Sequence, residues 1–235
     1  MDMRCFRPSR LLLAFVALSV AGCDVSAGEQ GLSVDVVKGR ASDEWTRTYS
    51  LSPGGRPDIV NVKGGIEVRP GAAGQVEVLA RREARSQDEA ASKEVLAKIE
   101  MVEEVSADRV KIQAKTAAWD DSAGGGLGQR SQVSVEYRLS IPPGLQVDLR
   151  TENGGIRLEN VNGSFVTAST NGGINARALS GSLSAALVNG GIQADLAQVG
   201  GDVSLATVNG GIRLALPPDA KGDVDVRAVN GGVSS

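Results

Sequence analysis

The triplet Asn-Gly-Gly occurs five times towards the end of the chain, starting at Asn153, Asn171, Asn189, Asn209 and Asn230. The intervals are 18, 18, 20 and 21 residues. The glycine pairs begin at Gly154, Gly172, Gly190, Gly210 and Gly231, and each pair is followed by an aliphatic residue: Ile156, Ile174, Ile192, Ile212 and Val233. A further glycine lies roughly midway, at Gly163, Gly181, Gly201 and Gly222, followed two residues later by Phe165, Leu183, Val203 and Val224. Asn and Gly tolerate positive φ at little cost, so each triplet permits a sharp reversal. Alternate residues of a strand point the same way. Ile156-Arg157-Leu158 and Ile212-Arg213-Leu214 therefore read as in-out-in segments.

Two turns per unit give two strand segments per coil, and coils of one pattern stack into a β-solenoid. Like positions then form columns. A buried isoleucine contributes about 1.5–3 kcal/mol before entropy is counted. One coil cannot bury its face alone, so neighbours are required. The competing arrangement is a run of β-hairpins, because Asn-Gly is also a strong hairpin signal. Hairpins leave unexplained why the same apolar residue recurs at the same offset from every turn. In the solenoid, the asparagines form a row at one corner. Their amides either bond to one another along the axis, as in other stacked β architectures, or present a polar stripe to a ligand.

The preceding residues read as a β-rich cap with one short helix. Thr46–Leu51 and Gln75–Ala80 have strand character, and Ser52-Pro53-Gly54-Gly55 is a turn signal. Ile59–Val68 holds an earlier Gly-Gly-Ile turn. Ser86 and Glu89 have capping-box spacing ahead of Val95, Leu96 and Ile99, which predicts a helix near residues 87–97. Alternation resumes at Met101, and Ser106-Ala107-Asp108 suits a hairpin loop. Residues 119–130, rich in Asp and Gly, read as a flexible loop. Gln132–Leu139 and Leu145–Leu149 are strands separated by Pro142-Pro143-Gly144. The expected organisation is a leader over 1–22, a tether over 23–43 with a short alternating stretch at Leu32–Val36, a β-rich region over 44–150 and solenoid repeats over 151–235.

Residues 1–10 carry three arginines, and residues 11–20 are an apolar run too short to span a bilayer. Val20-Ala21-Gly22-Cys23 resembles the lipobox of bacterial lipoproteins: an aliphatic residue, two small ones and an acylated cysteine. The resemblance implies cleavage before Cys23, with two or three acyl chains on it, enough for stable anchoring. Cys5 leaves with the leader, so no intramolecular disulfide remains. The expected location is the exported side of a bacterial envelope membrane. Asp24 resembles an inner-membrane retention signal in enterobacterial lipoproteins, a lineage-dependent rule that leaves inner against outer membrane open.

Arg47–Gly55, Val62–Val68, Ile141–Gly144 and the Asn-Gly-Gly repeats, in that order, resemble a large bacterial family of proposed adhesins with β-strand repeats, related to toast-rack domains. The resemblance spans about three quarters of the chain and implies no catalytic residues. Some members lie beside envelope-stress signalling systems. Members usually continue or cap the stack, whereas this sequence stops at Val233-Ser234-Ser235, just after a turn. An open last coil offers a strand edge to a second copy, so end-to-end self-association is an expectation.

The chain contains no histidine, which removes Ser-His-Asp and Cys-His arrangements and most zinc sites. Asp120-Asp121 and Glu103-Glu104 are the carboxylate pairs, but a catalytic pair needs a cleft with a set separation. No Lys-Ser/Thr follows the glycine pairs, as a phosphate loop requires. Isoleucine or valine stands where calcium-binding β-rolls place an aspartate. No cofactor, metal site or catalytic residue is therefore expected. The net charge of −3 becomes more negative without the leader, against nucleic acid as a partner. Trp45, Trp119 and Tyr137 are too few for a sugar-stacking platform. The function expected is a non-enzymatic envelope lipoprotein that binds a protein or polysaccharide along its solenoid. The alternatives are an accessory of envelope-stress signalling and a polysaccharide-active β-helix enzyme.

Overall fold

The computed structural model of the chain describes residues 23–28, 31–36, 38–119 and 131–235. The expected leader and all but the first residue of the 119–130 loop lie outside these. The chain divides into two compact units at residue 37. In the first, β1 (Cys23–Gly28) and β2 (Gly31–Val36) form an antiparallel hairpin, with Cys23 opposite Val36. The segment expected as a tether is thus largely paired strand.

The second unit opens with β3 (Gly39–Ser50), β4 (Arg56–Lys63), β5 (Ile66–Pro70) and β6 (Gln75–Ser86). α1 (Glu89–Ala97), the hairpin of β7 (Glu100–Val105) and β8 (Arg109–Lys115), and β9 (Gln132–Ile141) follow. The repeats supply β10 (Leu145–Asn153), β11 (Ile156–Glu159), β12 (Asn162–Asn171), β13 (Ile174–Asn189), β14 (Ile192–Asn209), β15 (Ile212–Ala215), β16 (Val224–Asn230) and β17 (Val233–Ser234).

The architecture is all-β and the repeats form a β-solenoid. On one face, β5, β11, the start of β13, the start of β14, β15 and β17 pair in parallel. On the other, β4, β10, β12, the end of β13, the end of β14 and β16 do the same. The parallel register extends back across residue 151, because β4 and β5 with the corner Lys63-Gly64-Gly65 make a coil of their own. Two antiparallel wings grow from this coil. β9 runs parallel to β5 and carries β6 and β3 beyond it; β8 runs parallel to β4 and carries β7.

Register explains the core. Tyr137, Ile66, Ile156, Ile174, Ile192 and Ile212 are successive partners, and each is at most 2% exposed. Val233 continues the register and is 53% exposed. A second inward column runs Leu139, Val68, Leu158, Ala176, Ala194 and Leu214. The opposite face contributes Val147, Phe165, Leu183 and Val203.

The helix starts later than its capping-box spacing predicts. Asp88 is the N-cap, its carboxylate accepting from the Ala91 amide at 2.7 Å. Ser86 instead ends β6, buried with its hydroxyl 3.2 Å from that of Ser131. The strand wins because β6 is paired along its length with β3. α1 packs on β3 and β6. Gly39 permits the approach: a Cβ there would lie 1.9 Å from the Asp88 carbonyl.

Candidate functional site

Each Asn-Gly-Gly corner contains two glycines with different reasons to be glycine. A Cβ on the first would collide with the preceding coil. At Gly172 it would come 2.2 Å from the Gly154 carbonyl oxygen, at Gly190 1.7 Å from that of Gly172, and at Gly210 1.9 Å from that of Gly190. These three also have positive φ, between +137° and +154°. In these same three corners the second glycine is under neither constraint, whereas a Cβ on Gly155 would lie a tighter 3.3 Å from the Gly173 carbonyl oxygen. At Gly173, Gly191 and Gly211 a Cβ would meet its nearest neighbour at 3.5–3.6 Å, an ordinary contact. None of these three has a positive φ.

The amides of Asn171, Asn189, Asn209 and Asn230 each donate to the Oδ1 of the asparagine one coil back, at 2.8–2.9 Å. The backbone stacks in the same register: the Gly172 amide donates to the Asn189 carbonyl at 3.0 Å, and that of Ile174 to the Gly191 carbonyl at 3.1 Å. The corners are closed from inside by hydroxyls. Thr151, Ser169 and Thr207 are buried and donate to the carbonyls of Gly64, Gly154 and Gly190. The sequence reading missed this inner row, although a Thr or Ser two residues before most asparagines is its visible trace. Lys63 holds the asparagine place in the earliest coil. An ammonium has donors only, so it cannot extend the ladder past the Asn153 amide.

Beside this corner runs a groove of about 980 Å³. The second glycine of each coil and the adjoining isoleucine line it. The next residue of each coil points outward, and register places these side chains in one row: Arg138, Glu67, Arg157, Asn175, Gln193 and Arg213. At the N-terminal end, Glu67 is within 2.7 Å of Arg69 and 3.5 Å of Arg138. Further along, Arg157 reaches Glu159 only at 3.9 Å, and Arg213 forms no ion pair among the described residues. The Asn175 Oδ1 is buried and has no hydrogen-bond partner. Such a group is costly to leave unmatched, by about 1–3 kcal/mol. The row thus offers two guanidinium groups flanking two amides, while at the other end Glu67 is paired with Arg69 and Arg138 and Glu136 adds a second carboxylate to the lining.

The carboxylate pairs read from sequence do not converge on this groove. Asp120 and Asp121 lie outside the described residues. Glu103 accepts from the Tyr49 hydroxyl at 2.6 Å, and Glu104 pairs with Lys111 at 3.4 Å. Burial first, then the bond to Glu103, pushes the Tyr49 phenol well above its usual range. A different carboxylate pair, not picked out in the sequence, sits on neighbouring strands: Asp58 and Asp148 are register partners, both 1% exposed. Arg109 donates to Asp58 at 2.6 Å, and Arg56 and Arg150 donate to Asp148 at 2.9 and 2.7 Å. They are outward positions in a strand pattern, so alternation alone marks them as solvated. Three arginines make their burial tolerable. Among the described residues no cluster of three or more metal-ligating side chains occurs, and no helix is long and apolar enough to cross a membrane.

The aromatic residues serve structure. Trp45 lies under the Arg47 guanidinium at 5.0 Å, Trp119 donates to the Val133 carbonyl at 3.1 Å, and Tyr137 is buried at the head of the isoleucine column. The groove therefore has no aromatic platform.

A model of the Toastrack DUF4097 family matches residues 102–235. No curated protein matches the chain. Among solved structures, a proposed cell adhesion protein from Clostridium sporogenes is similar at 9% identity and a TM-score of 0.42, over 82% of this chain and 98% of its own. A proposed adhesin from Bacteroides fragilis is similar at 10% identity and a TM-score of 0.35, over 82% and 97%.

Proposed function

This chain belongs to the Toastrack DUF4097 family, and we propose that it is a non-enzymatic envelope lipoprotein that holds an extended ligand in the groove beside its asparagine ladder. The observation that carries this reading is the second glycine of each corner. Neither φ nor packing at Gly173, Gly191 and Gly211 calls for glycine, yet glycine stands there in every coil. Its effect is to keep the groove open. The polar row beside it supplies donors and acceptors at the pitch of a β-sheet, about 4.8 Å per coil. A polymer lying along the axis meets one side chain per coil.

The anchor in this proposal is Cys23, with residues 1–22 as its cleaved leader. Acylation there would tether the groove to a membrane on the exported side. Cys23→Ser should release the protein from the membrane fraction and abolish labelling by a radioactive fatty acid. Retention of both would reject the anchor. Gly191→Leu should leave the fold intact and block the groove. A variant that still co-purifies with the same envelope material as the parent would reject the groove as the binding site.

A further inference from the structure

We infer that the groove takes a linear acidic glycan, with sugar carboxylates bound at Arg157 and Arg213 and hydroxyls bound at Asn175 and Gln193. The inference rests on the reading of the groove as a binding site and adds the chemical class of its occupant. Three observations favour it. The first is geometry. Arg157, Asn175, Gln193 and Arg213 are consecutive register partners. The two guanidiniums are three coils apart, roughly 14 Å at the spacing of parallel strands. The rise of an extended glycan per sugar is close to one such spacing, so a chain along the axis meets these four side chains in turn.

The second is the division of chemistry. A guanidinium presents a planar fork that matches a carboxylate in a bidentate pair. Arg213 has no acidic partner among the described residues, and Arg157 has one only at 3.9 Å. An amide both donates and accepts, as a sugar hydroxyl does. The Asn175 and Gln193 amides line the groove between the two arginines, where the hydroxyls of a bound chain would meet them.

The third is what the groove lacks. Trp45 and Trp119 are engaged elsewhere and Tyr137 is buried, so sugar rings find no exposed aromatic face. Affinity for a neutral glycan would rest on neutral hydrogen bonds alone, which are weak against water. Charge-assisted bonds to carboxylates are stronger. An extended peptide is disfavoured because its backbone groups would meet side chains and a glycine floor rather than a free strand edge.

The test uses the full chain in detergent, titrated with polygalacturonate oligomers and with neutral galactan oligomers of equal length. Polygalacturonate should bind at low salt and weaken at least tenfold between 50 and 500 mM NaCl, because exposed charge pairs are screened. Arg157→Gln with Arg213→Gln should reduce its binding at least tenfold, and Gly191→Leu should abolish it. Thermal unfolding of each variant checks the fold, and the glutamine pair supplies the result if Gly191→Leu unfolds. Equal binding of galactan and polygalacturonate, blocked by Gly191→Leu, would overturn the acidic class while leaving the groove as the site. Binding of an extended peptide, also blocked, with neither glycan held, would do the same. Polygalacturonate binding untouched by either set of substitutions would overturn both the class and the groove.

Discussion

At the scale of the residue, the two glycines of one corner separate backbone need from surface need. Gly190 combines positive φ with a carbonyl oxygen at the place of its missing Cβ, so the conformation and the space both exclude a side chain. Gly190→Ala should lower stability by several kcal/mol or prevent folding, as large effects follow from strain at a special φ. Gly191→Ala meets only an ordinary contact and should stay within about 1 kcal/mol of the parent. Chemical denaturation of the two variants, read side by side, checks the difference; equal losses would contradict it. Gly190 was legible in the sequence as a turn residue. Gly191 is indistinguishable from it there, because a sequence shows the residue type and hides the neighbour one coil away. Asp58 and Asp148 were hidden for the same reason. Their arginines come from positions 56, 109 and 150, brought together only by stacking.

At the scale of the element, strands were read more accurately than caps. Alternation placed most of the cap strands, since a half-buried strand writes its burial into every second residue. The helix N-terminus was misplaced by the likeness of Ser86 to a cap, although Asp88 is equally suited and lies outside the paired strand. Asp88→Ala should cost about 1 kcal/mol, the usual worth of an N-cap. Loss of helical signal and stability in Asp88→Ala, with restoration in Asp88→Asn, is the measurement. On the β3–β6 pair, Glu83 is bonded by Arg85 and Arg40. Burial raises its pKa, but the two arginines together outweigh this and hold it below the usual carboxylate range. A depressed folded pKa contributes stability above the unfolded value, about 4.3 for glutamate, and that contribution fades as pH falls through the folded value. Unfolding midpoints measured from pH 6 to pH 3 should therefore fall, and fall less steeply in Glu83→Gln. A parallel decline in both proteins would remove Glu83 from the account.

At the scale of the whole molecule, neighbour contacts along one axis dominate, as in other solenoids. Excising Gly172–Asn189 removes one 18-residue coil and rejoins Asn171 to Gly190, equivalent positions of the repeat. The shortened protein should fold with a ladder one rung shorter. Removing nine residues, Gly172–Ser180, would join unlike faces and should leave the chain unfolded. Circular dichroism with size exclusion distinguishes the outcomes; folding of both would contradict a register-dependent core. The solenoid was legible from the interval and the recurring isoleucine. The docking of the two antiparallel wings was not, although the β7–β8 hairpin itself was, because β9 and β8 reach their parallel partners β5 and β4 across long sequence gaps, with no repeat to announce them.

The uneven intervals carry a consequence of their own. From each asparagine to its isoleucine the count is fixed at three, and from Phe165, Leu183, Val203 or Val224 to the next asparagine it is fixed at six. All variation falls between them, at the second corner, where β13 and β14 slip register around Ala178 and Gly181. One edge of the molecule keeps measure while the other absorbs growth. New sequence can enter at the second edge without changing the pitch of the groove. Such a scaffold can be remodelled on one side, by loop grafts or by drift, while the side that carries the groove keeps the same ruler.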